Sequence, residues 1–172
     1  KYNFSFKLGE GIQKWWLKHD ATTPNWDLIS TCQINGEKGV LLVEAKAHCG
    51  ELTDGPEGKK TEINASVHSI ENHKQIVDAI QQANDEINKI IKPKNISISH
   101  KECYQLSNRV AHAWWLANHG IPVVLMYLGF LNVRDMDYKK NGIFHTDKEW
   151  QQCFENHSKK VGVNCIMEDL ID

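Results

Sequence analysis

The sequence predicts one α/β domain over residues 1–172, a mixed β-sheet flanked by helices, and three observations predict it. Two strand-like runs, Trp26 to Ile34 and Val40 to His48, sit between segments of helical spacing. A third apolar run, Ile121 to Phe130, is rich in β-branched and aromatic residues and follows two helices, so it returns to the same sheet as its central strand. The composition, 41% hydrophobic and 24% charged over 172 residues, suits one globular domain, and neither an internal repeat nor a low-complexity linker divides it.

In chain order, Leu8, Ile12, Trp15, Trp16 and His19 recur at helical spacing and predict a helix over 8–19. A turn over 20–25 leads into the first strand, whose Trp26, Leu28, Ser30, Cys32 and Ile34 share a face. Asn35 to Gly39 reads as the hairpin connection, which sets Asp27 across from about Ala47. The second strand is apolar on both faces in its first half, as in a buried sheet. Residues 49–65 form a long polar loop. A long amphipathic helix over about 66–91 carries Val67, Ile70, Val77, Ile80, Ile87 and Ile91 as its stripe, and Pro93 ends it. Ser99, with Glu102 three residues on, predicts a capping box for a third helix that Gly120 closes. Thr146 with Glu149 starts a short fourth helix, and the tail from Val163 reads as an edge strand.

The bulk charge narrows the function classes. A formal charge of −2, from 20 basic and 22 acidic residues, excludes a chain held to nucleic acid by a global basic surplus. Any such surface must be local. Five cysteines, odd in number and without CxxC spacing, exclude a disulfide scaffold or structural zinc site and predict free thiols in a reducing cytoplasm. No apolar stretch reaches membrane-spanning length, since Pro122 and Gly129 break the longest, and no signal-peptide core follows Lys1.

The chemistry concentrates at the hairpin. Alternation puts Glu44, Lys46 and His48 on one face of an otherwise apolar strand, with Asp27 opening its neighbour. Burying such charges costs several kcal/mol each, roughly, unless they are paired or bind a metal. Two converging carboxylates call for a cation, and hard oxygen donors without a Cys or His cluster select Mg²⁺ or Mn²⁺. An ammonium beside them would orient a metal-bound water and stabilise developing charge.

Pro24-Asn25-Trp26-Asp27 and Val43-Glu44-Ala45-Lys46, joined by the hairpin, resemble the PD-(D/E)XK superfamily of restriction-endonuclease-like nucleases. The helix–hairpin–helix–strand order over residues 8–131 is similar too. Pro24 is not adjacent to Asp27, and two helices rather than one follow the hairpin. The resemblance implies a restriction-endonuclease-like fold and a nuclease that hydrolyses nucleic-acid phosphodiester bonds, DNA before RNA, with Asp27, Glu44 and the Ala45 carbonyl on the metal and Lys46 assisting the nucleophile. It also suggests Glu10 on the first helix and Gln105 on the third as further site residues. His48 is a candidate for metal-bound water or substrate, and Arg109, Lys59 and Lys60 for backbone phosphates. The blander readings are a helix-start charge for Glu10, a rim histidine for His48 and a solvated stripe for Gln105, Arg109 and His112. The paired tryptophans read as packing before base stacking. No target-recognition domain is visible, so sequence-specific cutting calls for a homodimer or a partner subunit. The rival is a non-catalytic nucleic-acid-binding or protein-interaction domain of the same fold, and a small-molecule phosphohydrolase is a third reading.

Overall fold

The computed structural model describes residues 4–52, 64–92, 95–137 and 142–164, and over them the chain is a mixed α/β protein. Helices α1 (Phe4–Trp16), α2 (Val67–Ile90), α3 (Tyr104–Asn118) and α4 (Asp147–Lys159) accompany strands β1 (Leu28–Ile34), β2 (Glu37–Lys46) and β3 (Val123–Gly129). The sheet order is β1-β2-β3, with β1 antiparallel and β3 parallel to β2. The central strand is therefore β2, which corrects the expectation for Ile121 to Phe130: its hydrophobicity reflects contact with helices on one face, not pairing on both edges.

The hairpin is tighter than its sequence pattern suggested. Asn35 and Gly36, at φ 51° and 84°, turn the chain alone, and Ile34 pairs directly with Glu37. Asn-Gly is the pair that tolerates two successive positive φ values, so it closes a two-residue turn where a longer connection was expected. The register shifts with it. Leu28 pairs with Val43, and one step further Asp27 falls opposite Glu44, not Ala47.

Helix α2 starts where Ser66 Oγ accepts the Ser69 N–H at 3.2 Å. Its buried residues include Ile76, Ala79, Ile80 and Ala83, while Val67 and Ile70, expected on the stripe, are 69% and 51% exposed. The expected cap of α3 also moves. Ser99 Oγ accepts from Lys101 and Glu102 N–H, closing a local turn, and Cys103 at φ 47° delays the helix to Tyr104. Thr146 caps α4 as expected, accepting the Glu149 N–H at 3.2 Å. Pro93 lies outside the described residues; of the tail expected as an edge strand, Val163 is in a turn and Asn164 is helical, and the residues from Cys165 lie outside them.

The core lies between the helices and one face of the sheet. Trp16, Ile80, Leu106 and Ala111 are almost fully buried, and Leu125 and Tyr127 of β3 pack against them. On the opposite face Leu28, Val124, Met126 and Leu128 are each at least 36% exposed. Cys49, in a short 3₁₀ turn after β2, is joined by a disulfide to Cys153 of α4, with Cα atoms 6.0 Å apart. This corrects the expectation of free thiols for those two residues, since sequence spacing could not show that α4 returns to the end of β2. Cys32 and Cys103 are not disulfide-bonded, and the Cys103 thiol lies 3.5 Å from the His157 carbonyl. No described helix is long and apolar enough to cross a membrane.

Candidate functional site

Alternation along β2 puts Leu42, Glu44 and Lys46 on the helix-facing side, beside Leu125, Tyr127 and Gly129 of β3. Glu44 is 4% exposed and Lys46 5%. Lys46 Nζ donates to Glu44 Oε1 at 2.6 Å. The second oxygen, Oε2, accepts from Arg109 Nε at 2.7 Å. Glu44 thus sits between two buried cations, each compensating part of the desolvation that burial imposes.

Arg109 comes from α3 and is itself 5% exposed. Its Nη1 donates to Asn108 Oδ1 at 2.8 Å and its Nη2 to the Asn25 carbonyl at 2.7 Å. Its Cζ lies 4.6 Å from the Trp26 ring centroid, a cation–π contact. One guanidinium therefore ties α3 to β2 and to the two residues preceding Asp27.

Asp27 is exposed, and its Oδ2 accepts the Ala45 N–H at 2.7 Å. The carboxylate holds a backbone donor at the end of the β1–β2 ladder, one residue from Glu44 on the same strand pair. Beyond Lys46 the chain bends, and Glu51 Oε2 accepts from the N–H groups of Ala47 and His48 at 2.6 and 3.2 Å.

The structure gathers Asp27, Glu44, Ala45, Lys46 and Arg109. His48 is buried two residues on, in an isolated bridge to Ile143. Glu10 is exposed on α1 and forms no ion pair with the described residues of the cluster. Lys59 and Lys60 lie outside the described residues. Arg109 departs from its expected role: it faces Glu44 from inside the protein, so its bond to that carboxylate, not to a substrate phosphate, is the one the fold makes. The stripe of Arg109 and His112 is buried, not solvated.

His112 occupies a tryptophan cage. Its ring centroid lies 4.2 Å from that of Trp16 and 6.4 Å from that of Trp26. Nδ1 is 2.8 Å from the Asn108 carbonyl, so Nδ1 carries the proton of the neutral ring, and Nε2 has no hydrogen-bond partner among the described residues. Burial pushes its pKa down from 6.5 to about 4, the Asn108 carbonyl opposes this, and the Arg109 charge adds to it.

A cleft of roughly 690 Å³ opens beside the cluster, between residues 20–24, the start of α2 and the start of α3. Gln105, Asn108 and Arg109 line it, whereas Glu44 and Lys46 do not. Arg109 touches the cleft and the buried carboxylate at once. Sequence reading missed Asn25, Trp26, Asn108 and Glu51 as partners in this network. Trp26 beside Asp27 was the available signal, an aromatic face next to a charged strand start.

Asp27, Glu44 and a backbone carbonyl fit a hard cation in kind, because Mg²⁺ takes one or two carboxylates and completes its shell with water and phosphate oxygens. Among the described residues no three His, Cys, Asp or Glu side chains converge as a metal-binding group. Both Glu44 oxygens carry a cation already. The set therefore fits a divalent ion on condition that Glu44 releases one of them. No family model matches the chain, and no curated protein or solved structure matches it either.

Proposed function

We propose that the chain is a Mg²⁺- or Mn²⁺-dependent phosphodiesterase, a nuclease of the PD-(D/E)XK, restriction-endonuclease-like kind. The observation that carries this reading is the register that sets Asp27 opposite Glu44, with the Lys46 ammonium 2.6 Å from the Glu44 carboxylate in a buried setting. Asp27, Glu44 and the Ala45 carbonyl would hold the ion. A bound divalent ion polarises a phosphoryl oxygen and acidifies a water. Lys46 would orient the attacking water and stabilise the charge that develops as it attacks. Gln105, on the cleft wall, would position the substrate strand. Nucleic acid is the substrate, DNA before RNA, and a homodimer or partner subunit would supply any sequence specificity. A cytoplasmic setting belongs to the same proposal, although the Cys49–Cys153 bond argues against a strongly reducing one.

One observation favours a second reading, a non-catalytic nucleic-acid-binding or protein-interaction domain: both Glu44 oxygens already face a cation, so the site is internally compensated. Incubation with Mn²⁺ and a mixture of plasmid, single-stranded DNA and RNA separates the two. The nuclease reading expects metal-dependent cleavage that falls by about 100-fold or more in Asp27→Ala and Lys46→Ala. Intact nucleic acid in every lane would leave the non-catalytic reading.

A further inference from the structure

We propose that Arg109 is the built-in counter-ion of Glu44 and that a divalent cation binds by displacing it from that carboxylate. The inference rests on the metal-site reading above and concerns which side chain must move for the site to load. Glu44 offers two oxygens and both are engaged, Oε1 by Lys46 and Oε2 by Arg109. Three cations carrying four positive charges around one buried carboxylate are electrostatically excessive, so an arriving divalent ion has to exchange with one resident cation.

The surroundings decide which one. Among the described residues the Lys46 ammonium pairs with Glu44, and Lys46 does not line the cleft. Arg109 holds Glu44 through Nε alone. Its other nitrogens remain on Asn108 Oδ1 and the Asn25 carbonyl, with its plane over Trp26. It also borders the open cleft, where water can solvate the freed Nε–H. Losing the Glu44 contact therefore leaves Arg109 anchored and hydrated, whereas losing it would strand Lys46 as a buried, unpaired ammonium. The retained bond to Asn25 keeps the segment carrying Asp27 in place during the exchange.

Calorimetric Mn²⁺ titration of the full chain tests this. Arg109→Gln keeps a hydrogen-bonding side chain and removes the competing charge, so it should bind Mn²⁺ about tenfold tighter or more than the wild type. Arg109→Lys keeps the charge and should stay within about threefold of the wild type. Equal or weaker binding by Arg109→Gln, or equal tightening by both variants, overturns the proposal. Where Arg109→Gln does not fold, the Nε–H resonance of Arg109 in the wild type gives the same answer. Saturating Mg²⁺ should shift it and speed its exchange with water, and an unchanged resonance at saturation overturns the displacement. A wild type that takes up no Mn²⁺ at all removes the metal-site reading and this inference together. Uptake with an indifferent Arg109 removes only the inference.

Discussion

Glu44 stands between Lys46 and Arg109 with each of the three about 5% exposed, so the energetics of the site are those of a buried triad rather than a surface ion pair. Deleting the shared carboxylate leaves two buried cations without an anion. Glu44→Ala should therefore destabilise the apo-protein by about 3–5 kcal/mol, measured by urea unfolding. A loss under about 1 kcal/mol would show that the triad is hydrated and loose. His112 makes a separate prediction. Its folded pKa, about 4, lies below the unfolded value of 6.5, so the unfolded chain binds the extra proton between the two. The associated stability is fully present above pH 6.5 and is lost as pH falls toward 4, on the order of 3 kcal/mol in total. The difference in stability between the wild type and His112→Phe should narrow or invert across that window, and a constant difference would contradict the buried neutral imidazole.

At the scale of elements, the disulfide from Cys49 to Cys153 fastens α4 to the end of β2 across 104 residues of sequence. Cys153→Ser should cost about 2–5 kcal/mol, reductant should cost the wild type the same, and the two should not add. A reductant effect that persists in Cys153→Ser would place it elsewhere. The strands and helices were largely legible, because periodicity and a cap such as Thr146 act locally, although the cap expected at Ser99 closes a turn ahead of its helix instead. The hairpin register was misread through one local detail, the use of Asn35-Gly36 as the whole turn. That detail moves Asp27 from Ala47 to Glu44 and so decides the site. Glu44 and Lys46 stood out because charges closing an apolar strand are costly to bury, and both are buried, whereas Asp27 at the start of the paired strand is exposed. The Arg109 contact was not, since nothing local in α3 says that it reaches β2 and the Asn25 carbonyl.

Across the whole molecule the two sheet faces differ. Leu42 is 3% exposed on the side that meets the helices, while Met126 is 37% exposed on the other. Leu42→Ala should cost about 2–5 kcal/mol in urea unfolding and Met126→Ala less than about 1 kcal/mol. Comparable losses would mean that the open face is covered in solution. The charged cluster lies on the helix-facing side, so the packing that buries Leu42 also desolvates Glu44 and Lys46. The central claim, that Asp27 and Glu44 share one divalent ion across the hairpin, is tested most directly by the Mn²⁺ stoichiometry of the wild type and of Asp27→Ala. One ion per chain in the wild type and none in the variant is the predicted result, and equal uptake by both would contradict it.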